Sequence, residues 1–103
     1  MNWKQAIQDF DRHLRIERGL SPNTCRAYQA DITLLADSLE SKLGPDQVDP
    51  DHVREWLAGL HGDRSAATLG RRLAGARAFF RFLQREELIA LDPTAGIPAP
   101  KLP

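Results

Sequence analysis

At 103 residues the chain has room for one modest hydrophobic core and not for two. Its 42% hydrophobic and 27% charged residues are a globular balance that argues against disorder, and the single Cys25 excludes an internal disulfide and a cysteine-based zinc site. The 14 basic and 14 acidic residues cancel, but they are segregated along the chain, so a net charge of zero does not exclude an anionic partner.

Taken in chain order, Trp3, Ile7, Phe10 and Leu14 recur at helical spacing and predict a first amphipathic helix over 2–18, ended by Gly19. Ser21 is then an N-cap acceptor with Pro22 at the first helical position, where a missing N–H costs nothing. The second helix carries Cys25, Tyr28, Ile32, Leu35 and Leu39 on its apolar stripe, with Asn23, Arg26 and Ala30 opposite, and is expected to run to about Lys42 before Gly44-Pro45 breaks it. Asp49-Pro50 repeats the cap-plus-proline signal. It opens a short third helix with the stripe Val53, Trp56, Leu57 and Leu60, which His61-Gly62-Asp63 closes.

Ser65 caps a fourth helix, the strongest pattern in the chain. Leu69, Leu73, Ala76, Phe80 and Leu83 form its core stripe, and Thr68, Arg72, Gly75 and Phe79 lie on one flank. From Arg64 to Arg85 the charged residues are Arg64, Arg71, Arg72, Arg77, Arg81 and Arg85, six arginines without a carboxylate. The acids are concentrated just before, between Asp37 and Asp63, where seven of them face only Lys42 and Arg54. A merely solvated helix can lay arginine stems over its own apolar surface, but it ordinarily mixes signs and gains from acid–base pairs one turn apart. The acid-free row suits an anionic partner better.

From Pro93 onward the residues Pro93, Gly96, Pro98, Pro100 and Pro103 forbid a helix and favour extended backbone, as in an interdomain linker. The expected organisation is therefore a helical domain over 1–92 followed by a proline-rich linker over 93–103. The expected fold class is all-α, a compact bundle of four main helices. No basic segment followed by an apolar run opens the chain, and no stretch approaches the ~18 apolar residues of a membrane helix, so no membrane association and a cytoplasmic location are expected. Tyr28 reads as core, Trp3 and Trp56 as core anchors, Cys25 as a buried thiol, and the dispersed His13, His52 and His61 as surface or capping residues. No metal site or cofactor is expected. Without a nucleophile, base and orienting group in one constellation, the chain by itself is not expected to be an enzyme.

The run Leu20-Ser21-Pro22-Asn23-Thr24 with Tyr28 and Asp31 is followed by Ser65, Thr68, Arg71-Arg72-Leu73, Arg77, Phe80-Arg81-Phe82-Leu83, Arg85-Glu86, Leu88-Ile89, Asp92-Pro93 and the tail Pro100-Lys101-Leu102-Pro103. In this order and spacing they resemble the N-terminal core-binding domain of the tyrosine recombinases, nearest the Xer group (XerC- and XerD-like), over essentially the whole chain. Glu87 departs from the pattern, since many relatives have a glycine there that ends the fourth helix. The resemblance implies a SAM-like helical domain forming one jaw of a clamp around a recombination half-site. A separate C-terminal domain would carry the tyrosine nucleophile and do the strand breaking and rejoining.

The implied partners are double-stranded DNA, the protein's own catalytic domain and other recombinase subunits. In the family the second and fourth helices approach the duplex. Their N-terminal turns here offer small polar side chains and arginines suited to phosphates and guanine edges. The expected DNA contacts are Thr68, Arg71 and Arg72 first, then Asn23, Thr24 and Arg26, with Ser65 at the cap. Arg77, on the far side of the stripe, is either a DNA contact or the partner of an acid such as Glu55 or Asp31. The alternative from another class is a helical protein-interaction module that does not bind DNA.

Overall fold

The computed structural model describes residues 1–39, 43–59 and 66–98. They are all-α as expected: α1 (Trp3–Arg12), α2 (Pro22–Ser38), α3 (Pro50–Gly59) and α4 (Ala66–Arg85), with a π-helical turn at His13–Glu17, a 3-10 turn at Pro45–Gln47 and no strand among the described residues. The chain divides into two compact units, Met1–Gln47 and Val48–Pro103.

In the first unit, Asn2 lies outside α1 as its cap and accepts the Gln5 N–H at 2.7 Å. The expected single helix to Arg18 instead changes pitch at His13. The Arg18 N–H reaches back five residues to the His13 carbonyl at 3.1 Å, and the Leu20 N–H reaches six to Leu14 at 3.0 Å. This wider turn leaves His13 and Leu14 buried while Ile16 is on the surface. His13 is therefore not the surface residue expected, and its Nδ1 lies 2.7 Å from the Glu17 carboxylate. Gly19 follows with a φ of 64°, a left-handed conformation that costs glycine nothing and closes the element.

Ser21 caps α2 as its sequence predicts, accepting the Thr24 N–H at 3.2 Å. The helix ends at Ser38, earlier than Lys42. The Ser38 hydroxyl donates to the Leu35 carbonyl at 2.7 Å, and the Leu39 N–H is shared between the Leu35 and Ala36 carbonyls, which tightens the last turn. Residues 40–42, where the longer helix would have run, lie outside the described residues. Cys25, Ile32, Leu35 and Ala36 are buried, and the half-buried Tyr28 ring meets Phe10 edge-on at 6.0 Å. The Trp3 indole N–H is satisfied by the Leu43 carbonyl at 2.6 Å, so this half-buried anchor keeps its polar atom paired.

In the second unit, Asp49 and His52 cap α3 reciprocally. The His52 N–H donates to the Asp49 carboxylate at 2.9 Å and the Asp49 N–H to the His52 Nδ1 at 3.0 Å, an arrangement in which histidine takes the place usual for glutamate. Val53 and Trp56 are buried in α3. Leu60 and the closing residues His61, Gly62 and Asp63 lie outside the described residues.

The predicted stripe of α4, Leu69, Leu73, Ala76, Phe80 and Leu83, is buried throughout, but the buried arc is broader than the stripe. Gly75, Phe79 and Phe82 are buried as well, so at about 100° per residue the covered arc takes up roughly half of the helix circumference.

Helix α4 ends in a two-bond return. The Glu87 N–H donates to the Gln84 carbonyl at 3.0 Å and the Leu88 N–H to the Leu83 carbonyl at 2.9 Å, with Glu87 at φ 59°. A glutamate thus occupies the left-handed position that glycine favours, at a cost of about 1–2 kcal/mol. Glu87→Gly is expected to stabilise the protein by about 0.5–1 kcal/mol after the extra freedom of the unfolded glycine is subtracted, raising Tm by roughly 2–6 °C. A thermal melt of the two proteins checks this, and an unchanged or lower Tm would show that the turn holds glutamate without strain.

The proline-rich segment expected to be extended starts as folded structure. Asp92 Oδ1 accepts the Thr94 N–H at 2.8 Å and the Thr94 hydroxyl at 2.6 Å. The Ala95 N–H donates to the Asp92 carbonyl and the Ile97 N–H to the Thr94 carbonyl, both at 3.2 Å, and Pro93, Thr94 and Ile97 are buried. Residues 99–103, which hold Pro100 and Pro103, lie outside the described residues.

Candidate nucleic-acid interface

The charge pattern of α4 becomes a surface because of where the arginines fall on the helix. Arg71, Arg81 and Arg85 are exposed and share the outward face with the exposed Ala74, while no aspartate or glutamate occurs anywhere from Ala66 to Arg85. Arg71 combines an early position with exposure. It lies in the second turn of the helix.

The other expected α4 contacts are placed differently. Thr68 and Arg72 fall within the broad buried arc and are half-buried, and the Arg72 Nε is shielded from solvent. Arg72 thus contributes packing as well as charge, which the flank position alone did not reveal. Arg77 is half-buried and its Nη2 donates to the Ile97 carbonyl, a main-chain acceptor rather than either acid considered for it from the sequence. Ser65 lies outside the described residues. Arg81 and Arg85 were legible as charges but were not assigned with Arg71 to one exposed side of the helix.

On the first unit, Asn23, Thr24 and Arg26 are all exposed on the first turns of α2, as the wheel predicted. They form a small connected cluster. The Ser21 and Thr24 hydroxyl oxygens are 2.9 Å apart, and Arg26 Nη2 donates to the Asn23 side-chain oxygen. Asn23 is a neutral acceptor, so it orients the guanidinium without neutralising it. Pro22 has no N–H, the Thr24 N–H is taken by Ser21 Oγ and the Cys25 N–H by the Ser21 carbonyl. The Asn23 N–H of the same turn lies beside a cationic side chain, an arrangement that suits a phosphate oxygen.

Tyr28 has its ring packed on Phe10, and the described residues hold no cluster of three or more histidine, cysteine or acidic side chains that could bind a metal. Among the described residues no helix is long and apolar enough to cross a membrane.

Comparison with known proteins shows the family of this helical scaffold. Residues 7–87 match the model of the phage integrase N-terminal SAM-like domain. The chain belongs to this family. Its SAM-like domain is similar to the N-terminal part of Xer tyrosine recombinases. Tyrosine recombinase XerC of Chromobacterium violaceum is 40% identical over 98 residues, covering 94% of this chain and 32% of that protein. XerC of Pelotomaculum thermopropionicum is 36% identical over 104 aligned positions, covering 93% and 34%. Tyrosine recombinase XerD of Ralstonia nicotianae is 36% identical over 100 residues, covering 96% and 32%. The chain thus spans about a third of the length of the curated relatives it matches. No solved structure matches it.

Proposed function

We propose that this SAM-like domain binds double-stranded DNA as the N-terminal, half-site-gripping part of a Xer-type site-specific tyrosine recombinase, through the arginine face of α4 and the N-terminal turn of α2. The observation that carries the reading is the outward face of α4, where Arg71, Arg81 and Arg85 stand without a carboxylate in the helix, on a chain whose relatives are recombinases. Strand breaking and rejoining belongs to a catalytic domain outside these 103 residues, and the domain's partners are the duplex, that catalytic domain and neighbouring recombinase subunits. Chromosome-dimer resolution in the cytoplasm is the process that fits a Xer-type protein.

Binding by one such domain neutralises a handful of phosphates. Titration of a labelled duplex is expected to give a Kd of roughly micromolar or weaker at physiological salt, with log K falling by about 0.9 per phosphate as log salt rises, a slope of roughly −3 to −5. No binding at low ionic strength, or binding indifferent to salt, would remove the DNA reading and favour the protein-interaction module.

A further inference from the structure

Two bonds tie the segment after α4 to α4 itself, and their spacing carries a direction. Gln84 Nε2 donates to the Ala90 carbonyl at 3.2 Å, and Arg77 Nη2 donates to the Ile97 carbonyl. The donors are seven residues apart on the helix, which puts them on one face two turns apart, about 10 Å along the axis. The acceptors are also seven residues apart, and their order is reversed. The chain leaves α4 through the left-handed Glu87 and runs back along the same face toward the helix N-terminus. On the way it buries Pro93, Thr94 and Ile97 and folds 92–97 into turns pinned by the Asp92 carboxylate.

We propose that residues 90–97 are a latch on α4, with Arg77 and Gln84 as its positioning residues, and that Arg77 serves the latch and not the DNA. The donors are placed for this task. Both lie along one edge of the buried arc of α4, next to Leu73, whereas Arg81 and Arg85 lie outward and Arg71 is exposed beyond the opposite edge, and a half-buried guanidinium on a main-chain carbonyl makes a strong, charge-assisted bond. The physical consequence is that the segment following the helix moves with the arginine face as one piece. This last step rests on the DNA reading above: a domain gripping a duplex through α4 would hand a fixed direction to whatever chain continues past Ile97, instead of a loose tether beginning at Pro93.

Amide hydrogen exchange on the 103-residue protein tests the latch without reference to DNA. In Arg77→Ala, exchange at Thr94, Ala95 and Ile97 is expected to rise about tenfold or more while the amides of Leu73, Phe80 and Leu83 stay protected. DNA titration of the same variant is expected to keep the wild-type salt slope, whereas Arg71→Ala lowers it. Unchanged tail protection together with a salt slope reduced by about one would make Arg77 a phosphate contact and overturn the latch. If the α4 amides also exchange faster in Arg77→Ala, Gln84→Ala decides. A rise confined to the tail sustains the proposal, and no such rise ends it. A wild-type protein that fails to bind DNA yet shows the tail-selective exchange would sink the DNA reading and leave the latch standing.

Discussion

Leu73→Ala is expected to cost about 2–5 kcal/mol of folding stability, the range typical of a fully buried leucine truncated in a packed core. Leu73 is completely covered on α4, in the same arc as Leu69, Ala76, Phe80 and Leu83, so the lost methyl groups leave a void that neighbours held in their own rotamers fill only in part. For a domain with about 5–15 kcal/mol in total, that is a large share, equivalent to a fall in Tm of roughly 10 °C or more. Urea titration and a thermal melt measure it, and a variant melting with the wild type would show that the α4 stripe is not the core of its unit.

Arg71→Ala is expected to leave the melt nearly unchanged while weakening DNA binding by about 1–3 kcal/mol if the guanidinium reads a base, or lowering the salt slope by about one if it holds a phosphate. A selective loss across duplex sequences identifies the first case and a uniform loss the second. The same substitution at Arg72 has a different expected outcome. Its side chain is half-buried with Nε shielded, so Arg72→Ala should lower both affinity and Tm, and its affinity must be measured well below its melting temperature. If Arg71→Ala melts early but binds normally once folded, the arginine face of α4 is structural and solvated, and the DNA contact at Arg71 is wrong.

Much of the architecture was legible because it is set by interactions close in sequence. Ser21-Pro22 and Asp49-Pro50 mark helix starts by capping geometry that involves only the next three residues, and both helices begin there. The stripes of α2 and α4 follow from helical spacing alone, and Leu69, Leu73, Ala76, Phe80 and Leu83 are all buried as that spacing requires. The acid-free charge of α4 is likewise a property of the string of residues. The resemblance to the recombinase family also rests on the order and spacing of residues along the string, from Leu20-Ser21-Pro22-Asn23-Thr24 through Ser65, Thr68 and Arg71 to Asp92-Pro93 and the tail Pro100-Lys101-Leu102-Pro103.

What the string could not decide is how wide a covered arc becomes and where the chain goes after a helix ends, since both depend on what packs there from elsewhere. Phe79 and Phe82 widen the buried side of α4, and in doing so they leave Arg71 outward and draw Arg72 partly inward, two adjacent arginines that composition treats alike. His13 is buried because the turn at His13–Glu17 opens to a wider pitch, a change that helical spacing cannot anticipate. Pro93 to Pro98 reads as a linker because prolines refuse helix. Yet proline also suits turns, and once Thr94 and Ile97 have apolar surface to cover and Arg77 a carbonyl to hold, the same residues fold. Local chemistry therefore determined the elements, their caps and the sign of the surface. Only the tertiary structure decided how far Arg72 is covered and which arginine holds the tail, because burial belongs to the assembled neighbours and not to any residue alone.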